Sequence, residues 1–196
     1  MKLNTPNKLT VARILITPVY LALILWESLP HRFLIATLVY SIAAITDAID
    51  GKLARKNNQI TNFGKLLDPI ADKILTTSAL LAFMQMELCN IWIVMIVLTR
   101  EFTVASIRMI AAADGVVIPA NIWGKLKTVS QMTFTIVIML LGEVYSILAA
   151  YNPVWYGKMP ALALISNILL WITAVLTVVS GVIYVIDSKK VIDYTK

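Results

Sequence analysis

Four aspartates carry most of the chemistry that this sequence could perform. They lie within residues 47–72 of a 196-residue chain that is 59% hydrophobic and 14% charged. Ionised carboxylates are costly near a bilayer and are rare there unless something binds them. Carboxylate oxygens suit hard cations such as Mg²⁺ or Mn²⁺. The sequence therefore predicts a divalent-metal site at a membrane surface, with four candidate ligands: Asp47, Asp50, Asp68 and Asp72.

The spacing of these aspartates indicates one shared site. Asp47 and Asp50 are three residues apart, and Asp68 and Asp72 are four residues apart. On a helix, residues with either spacing lie on one face. The first pair follows an apolar run and lies near a predicted helix C-terminus, where partial negative charge disfavours carboxylates unless cations neutralise them. A solvated acidic helix end is the alternative interpretation, and independent surface charges rarely form two such pairs. Small residues, which allow close approach to the backbone, lie between the pairs at Gly51, Ala54 and Gly64.

The elements that must position the aspartates are apolar helices. Six stretches are long enough to span a bilayer, which takes about 20 residues per helix. They lie near residues 9–26, 33–50, 70–87, 91–112, 127–149 and 161–187. We expect the third helix to begin just before Pro69, which lacks a backbone donor. The prediction is an all-α, polytopic membrane protein: a single domain over residues 1–196, with six transmembrane helices after a short N-terminal interfacial segment.

The distribution of basic residues predicts the orientation. With both termini cytoplasmic, Arg32 and Lys158 are the only Lys or Arg near the outer face, out of 17 in the chain. Residues 47–72 then face the cytoplasm from the cell (plasma or inner) membrane. The net charge of +6 reflects this topology and attraction to anionic lipid, and does not indicate nucleic acid. Cys89 and His31 are each the only residue of their type, so we expect a buried or idle thiol and no catalytic histidine.

A second group of charges follows in the fourth and fifth helices. Arg100 falls well inside an apolar run, so we expect it to be functional or ion-paired. Glu101 and Arg108 are seven residues apart on nearly the same face and could pair. Lys125 and Lys127 begin the fifth helix, where the positive-inside rule accounts for them equally well. Folded together, these cations would line a basic pocket that suits an acceptor carrying phosphate.

A family resemblance rests on the string Asp47-x2-Asp50-Gly51-x2-Ala54-Arg55-x8-Gly64-x3-Asp68-x3-Asp72. It matches every fixed position of the motif of the CDP-alcohol phosphatidyltransferases, and the chain thus resembles that family. The resemblance implies transfer of a phosphatidyl group from a CDP-linked lipid to an alcohol, with release of CMP. It further implies that two divalent ions share Asp47 and Asp68, that Asp50 and Asp72 each complete one ion's site, and that Asp72 is the general base. The implied contacts of the CDP-linked lipid are Gly51, Ala54, Arg55 and Gly64; a snorkelling interfacial role is the alternative for Arg55.

The acceptor is suggested by a narrower likeness that covers about residues 4–132. The residues that carry it are Pro6-Asn7-x-Leu9-Thr10-x2-Arg13, Leu67-Asp68-Pro69-x-Ala71-Asp72-Lys73, Arg100-Glu101 with Arg108, and Gly124-Lys125-x-Lys127-Thr128. They resemble the bacterial phosphatidylglycerophosphate synthase branch of the family. This likeness implies CDP-diacylglycerol as donor, sn-glycerol 3-phosphate as acceptor, and a homodimer. The implied ligands of the acceptor phosphate are Arg100, Arg108, Lys125 and Lys127.

Other functions remain open from the sequence. Serine, inositol phosphate or phosphatidylglycerol could replace the acceptor, although serine carries no phosphate and does not need four cations. A small transporter is a hypothesis from another class. It is disfavoured because the carboxylates cluster at one membrane face and no inverted repeat is visible. The predicted outer loop around Trp155 suggests only interfacial aromatic anchoring.

Overall fold

The chain folds into six α-helices. A computed structural model describes residues 5–56, 62–113, 121–152 and 159–189, and within the helices it describes only the backbone at residues 5–7, 47–56, 62–69, 72, 113 and 159. No strand occurs in these ranges, so the all-α prediction is confirmed. The helices are α1 (Thr5–Leu25), α2 (Arg32–Lys56), α3 (Asn62–Gln85), α4 (Ile91–Ala113), α5 (Ile122–Tyr151) and α6 (Met159–Ser188).

Two helices extend further toward each other than the apolar stretches predict. α2 continues to Lys56, and α3 begins at Asn62, seven residues before Pro69. The prediction that α3 starts just before Pro69 is therefore wrong. Apolar periodicity marks only the part of a helix that lipid or protein covers, whereas the helix itself continues through polar residues. A proline removes a single backbone donor, and next to a bilayer the neighbouring backbone groups still need hydrogen-bond partners within the helix.

The side chains of α6 show which solvent surrounds the bundle. Five of its polar residues are buried, whereas large apolar residues such as Leu164, Val175 and Val182 are more than half exposed. This is the reverse of a soluble protein, and it is the arrangement expected when lipid surrounds the helices. The buried polar positions share one face of the helix: Ser166, Thr173, Thr177, Ser180 and Ser188.

Three helices of the described chain are long and apolar enough to cross a membrane: α1 from Lys8, α5, and α6 from Pro160. Residues Arg32–Thr46 of α2 form a shorter apolar segment. α4 carries three charged residues among its 23, at Arg100, Glu101 and Arg108. Six membrane crossings therefore remain a prediction.

The six helices pack against one another in a connected series of pairs. α1 lies against α2 and α3, α5 lies between α2 and α6, and α4 lies against α6. The rings of Tyr20 and Tyr40 join α1 to α2 with their centroids 5.5 Å apart. α5 approaches α2 closely at Gly142, where an added Cβ would lie only 2.7 Å from Cε1 of Phe33. These contacts hold α2 and α3, which carry the four aspartates, against the rest of the bundle.

Glu143 fixes the beginning of α2 from the side of α5. Its Oε2 accepts a hydrogen bond from the backbone N–H of Leu34 at 3.2 Å, and its Oε1 lies 2.5 Å from Nδ1 of His31. A carboxylate is favourable at a helix N-terminus, where backbone N–H groups lack partners. His31 therefore has a structural contact, at the end of α2 remote from Asp47 and Asp50.

Candidate active site

The backbone brings the four aspartates to one end of the bundle. Asp47 and Asp50 lie in the second half of α2, and Asp68 and Asp72 lie in the first half of α3. Only residues 57–61 connect these helices, so their ends are within about 22 Å of each other. We call this the aspartate end. The side chains of all four aspartates lie outside the described residues, as do those of Gly51, Ala54, Arg55 and Gly64.

The metal site therefore stays a prediction supported by the donor set. Four carboxylates on two adjoining helix ends match the oxygen ligands that Mg²⁺ and Mn²⁺ prefer. Among the described side chains, no cluster of three His, Cys, Asp or Glu residues forms a metal site elsewhere. The residues at the aspartate end thus fit a divalent cation by their chemistry.

A network of charges around Glu101 joins three helices next to the aspartate end. Glu101 accepts hydrogen bonds from Lys73 on α3, from Nζ of Lys127 on α5 at 2.5 Å, and from Nη1 of Arg100 at 3.1 Å. We call these four residues the Glu101 network. Lys73 directly follows Asp72 in α3, so the network adjoins the predicted metal ligands.

Glu101 does not pair with Arg108, although their spacing along α4 suggested that it could. The two residues are on one helix about 10.5 Å apart along its axis, because each residue adds about 1.5 Å. Neighbouring helices bring Lys73 and Lys127 within hydrogen-bonding distance instead. Sequence spacing within α4 carries no information about these cations, because they come from α3 and α5.

Arg100 is held between α4 and α6. Its Nη2 donates to the hydroxyl of Ser180 at 2.6 Å, and its Nε has no hydrogen-bond partner among the described residues. Gly181 makes room for it, since an added Cβ there would lie 2.9 Å from Cγ of Arg100. Arg100 also pairs with Glu101, so of the two roles expected for it, functional or ion-paired, the second is observed.

The four predicted acceptor ligands do not all share one environment. Arg100 and Lys127 belong to the Glu101 network, and Lys127 is only 4% exposed. Arg108 instead contacts α6: its Nε lies 3.4 Å from the hydroxyl of Tyr184, and its guanidinium carbon lies 5.7 Å from the ring centroid. That distance suits a cation–π contact. Lys125 is exposed on the first turn of α5.

The Glu101 network is cationic as a whole. Three positive side chains share one carboxylate, so the positive charges exceed the negative one. The side chains are largely buried, with 28% of Lys73 and 14% of Arg100 exposed. Charge interactions in such partly buried positions are less screened than in water. The network can therefore attract an anion such as a phosphate monoester.

Several residues that shape the site were given no role from the sequence. Lys73 joins the Glu101 network, and its position directly after Asp72 was the available signal. Asn121 caps α5, because its side-chain oxygen accepts a hydrogen bond from the backbone N–H of Gly124 at 2.8 Å. This cap fixes the first turn of the helix, which carries Lys125. Ser180 had no sequence signal beyond a polar residue in an apolar helix.

Arg13 of α1 is a further residue whose contact was not predicted from the sequence. It is 1% exposed, and its Nε donates to the backbone carbonyl of Ala43 at 3.3 Å. Ala43 lies one turn before Asp47 on α2, so this arginine ties α1 to the helix that carries the first two aspartates. An arginine within an apolar run was the available signal in the sequence.

Cys89 lies in the turn between α3 and α4 and is 5% exposed. Burial raises the pKa of its thiol to about 12, so the thiol stays protonated at neutral pH. A protonated, buried thiol is a poor nucleophile. The prediction of a buried thiol is confirmed.

Comparison with known proteins shows the family of this chain. The family model described as CDP-alcohol phosphatidyltransferase matches residues 3–186. A Bacillus subtilis protein named CDP-diacylglycerol–glycerol-3-phosphate 3-phosphatidyltransferase is 36% identical over 189 residues, covering 91% of each chain. A Haemophilus influenzae protein of the same name is 35% identical, covering 96% of this chain and 95% of its own. A Mycobacterium tuberculosis protein named probable phosphatidylglycerophosphate synthase is 38% identical over 130 residues, covering 65% of this chain and 62% of its own. This chain belongs to the CDP-alcohol phosphatidyltransferase family.

Proposed function

We propose that this protein transfers the phosphatidyl group of CDP-diacylglycerol to sn-glycerol 3-phosphate, giving phosphatidylglycerophosphate and CMP. The observation that carries the proposal is the Glu101 network, which sets three cations beside the helix of Asp68 and Asp72. A phosphate on the acceptor is the group that such a network recognises. Relatives that align with nearly the whole chain are named for this reaction.

The donor site is inferred at the aspartate end. Members of this family generally depend on a divalent metal. We infer two ions, Mg²⁺ or Mn²⁺, with Asp47 and Asp68 shared and Asp50 and Asp72 each completing one site. When bound, such ions neutralise the pyrophosphate oxygens and the charge that develops on the departing CMP. Around them, Gly51, Ala54, Arg55 and Gly64 would contact the CDP-linked lipid.

In the proposed reaction, one side chain of the protein accepts a proton. Asp72 accepts it from the acceptor hydroxyl as the hydroxyl oxygen forms a bond to the phosphorus of the phosphatidyl group. The bond from that phosphorus to the CMP oxygen breaks in line, and CMP leaves with the electron pair. A carboxylate close to cations is a weak base. The proton therefore moves late in this step, when the attacking oxygen has become acidic.

The acceptor phosphate would bind at the Glu101 network. An ammonium group has three donors, and Glu101 uses one on Lys73 and one on Lys127. The remaining donors would bind phosphate oxygens, together with the Nε of Arg100, which has no hydrogen-bond partner among the described residues. Arg108 and Lys125 would add charge at the edges of the pocket.

The protein is an integral membrane protein, given its family and its long apolar helices. We further propose that residues 1–196 form one domain in the cell membrane, with the aspartate end and both termini facing the cytoplasm. The distribution of Lys and Arg supports that orientation. We also propose a homodimer, as the family resemblance implies.

An acceptor panel tests the proposed function. Purified protein in nanodiscs receives CDP-diacylglycerol with Mg²⁺ or Mn²⁺ and one of three acceptors: glycerol 3-phosphate, serine or inositol phosphate. We expect CMP release only with glycerol 3-phosphate, and none after chelation or in Asp68→Asn. Release with another acceptor would keep the transferase chemistry and move the protein to a different branch. Folded protein that releases no CMP with any acceptor would contradict the proposal.

A further inference from the structure

Ser180 is a buried polar residue of α6 whose hydroxyl contacts a different helix. It is 0% exposed, and the hydroxyl accepts a hydrogen bond from Nη2 of Arg100 on α4 at 2.6 Å. The hydroxyls of Thr173 and Thr177, on the same face of α6, instead donate to backbone carbonyls of their own helix. Serine and threonine in helices commonly bond to their own backbone in this way. Ser180 therefore serves a charged side chain of α4 rather than its own helix.

The side chain of Arg100 is held at three points. Nη1 donates to Glu101 at 3.1 Å, and Nη2 donates to Ser180. The aliphatic part lies over Gly181, where an added Cβ would be 2.9 Å from Cγ of Arg100. A guanidinium is rigid and planar, so two anchored nitrogens and a packed stem determine its orientation. Without the Ser180 hydroxyl, the group could turn about the contact with Glu101.

This orientation directs Arg100 toward the first turn of α5. A Cβ added at Gly124 would lie 3.7 Å from Nη2 of Arg100. That turn carries Lys125 and leads to Lys127, which shares Glu101 with Arg100. Arginine binds phosphate through parallel N–H groups, so binding depends on the direction of the guanidinium as well as on its charge. An acceptor phosphate at the Glu101 network would therefore respond to a rotation of Arg100.

We infer that Ser180 is a positioning residue of the acceptor site, which holds the Arg100 guanidinium in the orientation that binds the acceptor phosphate. This inference rests on the proposed function and adds α6 to the elements that form the acceptor site. A preset orientation reduces the side-chain freedom that is lost on binding, so it raises acceptor affinity without a contact to the acceptor. The proposed donor site lies on α2 and α3, and donor affinity should not depend on Ser180.

The test compares Ser180→Ala with a matched control, Ser166→Ala. Ser166 is an equally buried serine of α6, 0% exposed, and its hydroxyl has no hydrogen-bond partner among the described residues. CMP release is measured in mixed micelles with Mg²⁺, first with glycerol 3-phosphate varied and then with CDP-diacylglycerol varied. We expect Ser180→Ala to raise KM for glycerol 3-phosphate by about fivefold, the effect of about one net hydrogen bond. KM for CDP-diacylglycerol, and both KM values of Ser166→Ala, should change less than about twofold.

Two further variants test whether Ser180 acts through Arg100. A lysine keeps the positive charge but has no planar group to orient. In an Arg100→Lys background we therefore expect Ser180→Ala to change kcat/KM for glycerol 3-phosphate by less than about twofold, because the two substitutions remove the same interaction. Ser180→Thr keeps a hydroxyl at this position, and its KM for glycerol 3-phosphate should lie closer to the wild-type value than to that of Ser180→Ala.

A merely structural role of Ser180 would give a different pattern, because misfolding reduces the amount of active enzyme and hence kcat. Equal effects of Ser180→Ala and Ser166→Ala, or a loss of kcat with unchanged KM for glycerol 3-phosphate, would overturn the inference. The full effect of Ser180→Ala in the Arg100→Lys background would also overturn it. Wild-type protein that releases no CMP with glycerol 3-phosphate would overturn the proposed function itself, whereas an active wild type with an unaffected Ser180→Ala would overturn the inference on Ser180 alone.

Discussion

Substitution of Glu101 by glutamine should destabilise the protein strongly, because three cations depend on this carboxylate. Lys73, Arg100 and Lys127 all donate to it, and they come from three different helices. Glutamine keeps the size of the side chain and one acceptor oxygen but removes the negative charge. The ammonium of Lys127, with 5% of its side chain exposed, would then be buried without an anion among the described residues.

The size of the effect follows from burial. Loss of one partner from a buried ion pair costs about 3–5 kcal/mol. Glu101 is 16% exposed and Lys73 28% exposed, so water reduces part of the penalty and the lower limit applies. We expect a loss of about 3 kcal/mol in the free energy of unfolding. For a chain of this size, that loss lowers the thermal midpoint by about 6–12 °C.

Thermal unfolding in detergent, followed by intrinsic fluorescence, measures the change. Glu27→Gln serves as the control, because Glu27 is exposed in the turn between α1 and α2 and makes no ion pair among the described residues. The double variant Glu101→Gln/Lys127→Met should recover at least half of the loss, since it also removes the most deeply buried cation. Such recovery is the coupling that a double-mutant cycle detects.

Two results would refute this reasoning. A Glu101→Gln protein within about 0.5 kcal/mol of the wild type would behave like an ordinary surface variant. A double variant less stable than Glu101→Gln would mean that Lys127 contributes through packing rather than through its charge. Either result would also weaken the assignment of this network to the acceptor site.

Two further predictions concern other contacts. Gly142→Ala places a Cβ 2.7 Å from Cε1 of Phe33, so we expect the free energy of unfolding to fall by about 2 kcal/mol. Thermal unfolding measures this loss, and Phe33→Leu should partly restore the stability. An unchanged thermal midpoint would show that α2 and α5 separate easily. Arg108→Ala should raise KM for glycerol 3-phosphate by about tenfold and leave KM for CDP-diacylglycerol within about twofold, because it removes a single charge-assisted phosphate contact. The matched control for Arg108→Ala is Tyr184→Phe, which removes only the hydroxyl beside Arg108. Equal effects of Arg108→Ala on the KM values of both substrates would show that Arg108 is not part of the acceptor site.

The helical architecture was predictable because local hydrophobicity specifies it. Each of the six apolar stretches corresponds to one observed helix. In α4, the Glu101 network stabilises the charges of Arg100 and Glu101 inside an apolar region. Helix ends were less predictable. α5 begins at Ile122 because Asn121 caps it, and hydropathy does not register such a cap.

The sequence by itself determined the family and the four candidate metal ligands, because the chemistry of carboxylates at fixed helical spacing is local information. Only the tertiary structure decided the partners of the charged residues. Glu101 pairs with Lys73 and Lys127 from other helices, Arg108 contacts Tyr184, and Arg13 reaches the backbone of Ala43. These partners are far apart in the chain and meet only through helix packing. Since a buried charge must find its partner wherever the fold places one, spacing along a single helix does not identify that partner.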